Sequence, residues 1–98
     1  MKMHFKKPLG EHPDALMRKA GYAPFRDPKS GEHSYVRRLS GDFYPRFHCY
    51  VEEGQDIVTF NLHLDQKKPS YAGHAHAGEY EGQTVEQEIA RMKQAFHS

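Results

Sequence analysis

Between Phe43 and Leu64 the chain runs through two arms of alternating apolar and polar residues, separated by Glu53-Gly54-Gln55-Asp56. A stretch of this kind buries one set of side chains and leaves the other in water only as a β-hairpin. Phe43, Pro45, Phe47, Cys49 and Val51 share one side of the first arm, and Val58, Phe60, Leu62 and Leu64 share one side of the second. Setting Glu52 opposite Ile57 brings Val51 to Val58, Cys49 to Phe60 and Phe47 to Leu62, so every apolar pair falls on one face. A slip of one residue would scatter those pairs across both faces. The same register predicts that Tyr50 meets Thr59, His48 meets Asn61 and Arg46 meets His63 on the opposite face. One face is therefore core, and the other is aromatic, cationic and hydrogen-bonding.

Other elements attach to this hairpin. Residues 1–10 are polar and basic, and read as a tail or an edge strand. His12-Pro13-Asp14 opens a short helix, because proline suits the first helical position and an acid suits the positive end of the helix dipole. Gly21 is placed to end that helix in a left-handed cap. Residues 22–31, with Pro24, Pro28 and Gly31, read as a loop. His33 to Leu39 reads as a strand antiparallel to the first arm of the hairpin, with Ser40-Gly41-Asp42 as the connection. A final helix is expected from Thr84, where Thr84 and Gln87 make a capping box and Val85, Ile89, Met92 and Phe96 form one apolar stripe. The fold class is α+β: an antiparallel sheet of three or four strands, with a short N-terminal helix and an amphipathic C-terminal helix on one face. Phe47, Val51, Phe60, Leu62, Ile89, Met92 and Phe96 are the expected core.

Ninety-eight residues make a single domain, 1–98, and 37% hydrophobic residues leave a small core in which six Phe and six Tyr carry much of the volume. The one cysteine, Cys49, has no disulfide partner and faces inward, which predicts a buried thiol. No stretch approaches the ~20 apolar residues of a membrane span, and no apolar run marks a signal peptide, so a cytoplasmic protein without membrane partners is expected. The net charge of +1 hides an asymmetry: residues 1–50 carry ten Lys and Arg against five Asp and Glu, and residues 51–98 carry four against eight. A basic half suits an anionic partner, and two halves of opposite sign also attract each other on folding.

Two constellations could carry function. The first is the outer face of the hairpin, where Tyr44, Arg46, His48, Tyr50, Asn61 and His63 should stand together, joined by Arg37 and Tyr35 if the preceding strand pairs in phase. Rings that stack on bases, with arginines for phosphate, are the ingredients of a single-stranded nucleic-acid platform. Such side chains also serve a protein partner, and an exposed sheet edge could pair two copies into a homodimer. The second is the His- and Gly-rich stretch 66–83, read as a long loop. His74 and His76, with His63 and Asp65 upstream and Glu79 downstream, supply imidazole and carboxylate groups suited to zinc or another divalent transition metal.

Motifs for chemistry are sparse. The chain has no G-x-S-x-G, no P-loop and no G-x-G-x-x-G. His48 and Cys49 are adjacent, but alternation sends them to opposite faces, so they do not form a thiolate-imidazole pair. The last helix opens with Glu86 and Glu88, the wrong charge for phosphate at a helix start, which argues against a double-stranded RNA-binding domain. The reading is a small binding module acting through its outer sheet face, with a metal-binding protein or metal-dependent enzyme as the alternative. An enzyme is the less favoured of the two.

Overall fold

The computed structural model describes residues 1–66 and 77–98, and for 77–81 the backbone alone. Its elements are β1 (Lys2–Lys6), α1 (Pro13–Lys19), β2 (Ala23–Arg26), β3 (His33–Arg38), β4 (Arg46–Glu53), β5 (Ile57–Asp65) and α2 (Ala77–Phe96). The five strands make one antiparallel sheet in the order β1-β5-β4-β3-β2, with the hairpin at its centre. The architecture is the expected α+β, with two more strands than the three read most directly from the sequence. The N-terminal segment is the edge strand β1 on β5. The other addition is β2, in residues expected to be a loop. Pro24 has no N–H to give to a ladder, and β2 tolerates it because it is the opposite edge.

The hairpin keeps its predicted faces in a register shifted by two residues. Val51 pairs with Phe60, Cys49 with Leu62, Phe47 with Leu64 and Arg46 with Asp65. The shift comes from the turn. The N–H of Gly54 donates to Ile57 O at 2.8 Å, which closes a loop of only Gln55 and Asp56 where four residues were expected. A Cβ at Gly54 would stand 3.0 Å from Ile57 O, so glycine suits this tight closure. Because the shift is an even number, no side chain changes sides. Phe43 and Pro45 are the exception, since both precede β4 and are exposed.

Both helices pack on one face. His12 caps α1, with its Nδ1 accepting the Asp14 N–H at 3.1 Å. At the other end Gly21 adopts φ +91°, with Gly21 N–H bonded to Arg18 O and Tyr22 N–H to Met17 O, a Schellman closure. Helix α2 begins at Ala77, seven positions before the expected Thr84, which lies inside the helix. Residues 77–83 contain good helix formers around Gly78 and Gly82, and each such glycine costs only about 1 kcal/mol. The stretch expected as a loop is therefore helical over its last third.

Met3, Leu16, Met17, Phe47, Cys49, Val58, Phe60, Leu62, Val85, Ile89, Met92 and Phe96 belong to one buried cluster, with Val51 packed at its margin. Burial pushes the Cys49 thiol up to about 12, so this cysteine is a small apolar side chain rather than a nucleophile. The apolar stripe of α2 also carries the buried Glu88. Its carboxylate accepts from Tyr22 Oη at 2.6 Å and from Arg91 Nε and Nη2 at 2.7 and 2.8 Å, while Arg37 Nη1 stands 3.6 Å away. Arg91 Nη2 also donates to Ala20 O at 2.6 Å, so one buried charge ties the end of α1 to α2 and β3.

Candidate functional site

The register leaves Arg46, His48, Tyr50 and Glu52 of β4 on the face away from the helices, beside Thr59, Asn61, His63 and Asp65 of β5. Lys2 and His4 of β1 flank them, as Asn61 and Thr59 are their cross-strand partners. On the far side β3 and β2 contribute Ser34, Val36 and Arg38, and Phe25. No described element packs on this face.

Arg46 organises one corner. Although it lies on the outer face it is only 6% exposed, because three rings surround its guanidinium: Phe43 at 4.3 Å, and Phe25 and Tyr44 at 4.9 Å. A planar, weakly hydrated cation suits such a site better than an ammonium would. Asp65 Oδ2 lies 3.5 Å from Arg46 Nε, close enough for charge attraction but not for a hydrogen bond among the described residues. Arg38 also stacks on Phe43, at 4.9 Å, and is itself exposed.

From that corner a relay runs across the sheet. Asp65 Oδ2 is 3.0 Å from His48 Nδ1, and His48 Nε2 is 2.7 Å from Ser34 Oγ. The carboxylate only accepts, so Nδ1 carries a proton, and in the neutral ring Nε2 is left to accept the Ser34 hydroxyl. The order Ser-His-Asp is that of a hydrolytic triad, but Ser34 is only 4% exposed, and its Oγ also lies 3.3 Å from Phe25 O. A substrate carbonyl has no approach to that oxygen. What the relay does is hold the His48 ring from both nitrogens. The fixed ring sits 4.7 Å from Tyr50 at 35°, with Phe25 edge-on to it at 6.2 Å, and Tyr50 in turn meets His63 edge-on at 6.0 Å. Four aromatic rings thus form a row over three strands.

His63 is exposed, yet desolvation by its neighbours on the sheet holds the imidazole below its ordinary value of 6.5, and the N-terminal ammonium acts in the same direction, so the neutral ring predominates at pH 7. Burial raises the Tyr50 phenol, with the Glu32, Asp65 and Asp27 carboxylates adding to the effect, so its hydroxyl stays a donor.

Of the residues expected at this face, His48, Tyr50, Asn61 and Arg46 are on it, and Tyr44 reaches it from the turn before β4 by covering Arg46. Arg37 is not. It stands opposite Phe47 on the helix side, as Tyr35 stands opposite Cys49, and their partners are Glu88 and Asp14. The phase of β3 decides this, and the cation facing outward is Arg38. Phe25, Ser34 and Lys2 are additions. Their strands are edges or near-edges, where short runs and prolines mask alternation. His63 and Asp65 of the expected metal set lie on the outer face, with Asp65 engaged by His48. His74 and His76 lie outside the described residues, and so does the side chain of Glu79. Among the described residues no group of three His, Cys, Asp or Glu is arranged to hold a metal ion. Nor is any described helix long and apolar enough to cross a membrane.

No protein-family model matches the chain, and no curated protein is similar enough to count as a relative.

Proposed function

We propose that this protein binds single-stranded nucleic acid on the outer face of its sheet. The observation that carries the reading is the row Phe25, His48, Tyr50 and His63, lying on a face that no described element covers. Bases stack on such rings whatever their sequence, each contact contributing about 1 to 3 kcal/mol. Arg38 on one side of the row and Lys2 on the other offer cations to the phosphates at its two ends, and both are exposed. The relay from Asp65 to Ser34 supports the same reading, because a ring held at both nitrogens loses little freedom on stacking.

Titration of the labelled protein with mixed-sequence oligonucleotides at low salt tests it. Amide shifts should cluster at His48, Tyr50, Asn61 and His63, and affinity should fall as salt rises because phosphate contacts release counterions. Tyr50→Ala should weaken binding about tenfold, within the range of one stacking contact. Silence of those resonances with every oligonucleotide would sink the reading and transfer the face to a protein partner.

A further inference from the structure

Beside the aromatic row lies an open depression of about 400 Å³, lined by Glu32, Tyr50, Glu52, Asn61 and His63 among others. Tyr50 and Asn61 are cross-strand partners within its lining, and His63 lies two residues on from Asn61 on the same face of β5. Among the described residues, the side chains of Glu32, Glu52 and Asn61 make no hydrogen bond and no ion pair. Glu53, Glu11 and Asp14 are engaged by Lys7, Lys19 and Arg18, whereas among the described residues Glu32 and Glu52, like the exposed Asp42, Asp56 and Glu86, meet no cation. The depression therefore combines ring surface with unspent acceptors, and its carboxylates turn phosphate away.

We infer that this depression is a guanine-binding subsite, in which one base of the strand lies against Tyr50 and His63 and presents its Watson-Crick edge to the Glu32 and Glu52 carboxylates. The inference rests on the single-strand reading above and adds a base preference to it. An ionised carboxylate only accepts hydrogen bonds, and two parallel donors match its two oxygens. Guanine has such a pair, N1–H beside the N2 amino group. Adenine and cytosine have one exocyclic amine beside an acceptor nitrogen, and thymine has one N–H between two carbonyls. The amide of Asn61 has donors for O6 or N7. Lys2, opposite Asn61 on the outer face, stands where the phosphate of the seated nucleotide would leave the acidic depression.

Fluorescence anisotropy with labelled heptanucleotides at low salt tests the subsite, using all-thymine, thymine with one central guanine, and the same with inosine, which lacks the N2 amine. The guanine oligonucleotide should bind about tenfold more tightly than all-thymine, the lower part of what one bidentate base contact gives. Inosine should lose most of that advantage. Glu52→Gln and Glu32→Gln together should reduce the guanine oligonucleotide to the all-thymine level without weakening all-thymine itself. Both residues are exposed and have no partner among the described residues, so the variants should stay folded, which circular dichroism checks. Equal affinity for all three oligonucleotides would overturn the subsite and leave the stacking platform standing. So would a guanine preference that survives both substitutions. Absence of binding by any oligonucleotide would overturn the platform, and the subsite with it.

Discussion

Phe60→Ala should be among the most costly single substitutions in this protein. The ring is fully buried at 0% exposure. Met3 and Val51 flank it on the neighbouring strands, and the rings of Phe5 and Phe96 stand over it at 5.6 and 5.2 Å. Removing it leaves a cavity that touches β1, β4, β5 and α2 together, so no single element can settle into the space without breaking its own ladder or helix. Such a site belongs in the upper part of the usual Phe→Ala range, about 4 kcal/mol. For a domain of this size that is about a quarter or more of a typical total stability of ~5–15 kcal/mol, and the melting temperature should drop by about 16 °C or more. Urea unfolding followed by far-ultraviolet circular dichroism measures it, with an unchanged m-value showing that the two end states are the same. Ile57→Ala is the control: its side chain is 44% exposed at the start of β5, and the change should stay within about 0.5 kcal/mol. A Phe60→Ala cost below about 2 kcal/mol would refute the argument that four elements meet on this ring.

The corner built on Arg46 should discriminate between two cations of equal charge. Arg46→Lys loses the planar stack on Phe25, Phe43 and Tyr44 and should cost about 1–2 kcal/mol, with ring-current shifts at His48. Unchanged stability in urea would mean the rings are not packed on the guanidinium. His63 should titrate below 6.5 by NMR. A depressed folded-state value means that its contribution to stability is intact above 6.5 and is lost as pH falls through the folded-state midpoint, and His63→Gln should remove that portion of the acid sensitivity. A midpoint above 6.5 would contradict the desolvation of the ring and give the Asp65 carboxylate the larger effect. Asp14 and Asp27 are held below the ordinary carboxylate range, Asp14 by hydrogen bonds from Arg18 and Tyr35 and Asp27 by the backbone N–H groups of Ser30 and Lys29. Their contribution should be present above about pH 4 and fade below it, so Asp14→Asn should flatten the acid limb of a stability profile against pH.

Local chemistry already determined a good deal from the sequence alone. Alternation through residues 46–65 set which side of the hairpin is core, because a side chain on a strand has only two directions. Proline at position 13 and glycine at position 21 bounded the first helix, since φ near −65° and positive φ are properties of those residues themselves. The stripe of Val85, Ile89, Met92 and Phe96 found the core for the same kind of reason. The outer-face residues His48, Tyr50 and Asn61 were legible as a group because they follow from the hairpin's faces.

What remained belongs to contacts between segments far apart in the chain. Which of Arg37 and Arg38 faces outward depends on the phase in which β3 meets β4, and Tyr35 is drawn to the helix side by Asp14, twenty-one residues away. The aromatic cage of Arg46 needs Phe25, from a four-residue edge strand that Pro24 disguises, and the relay needs Ser34 and Asp65 at the two sides of His48. The two-residue shift in the hairpin shows the same division. Both registers satisfy the apolar pattern, and the closing bond at Gly54 selects between them. Periodicity fixes direction, but it is blind to even shifts and to partners across the sheet, and those are the terms that assemble the site.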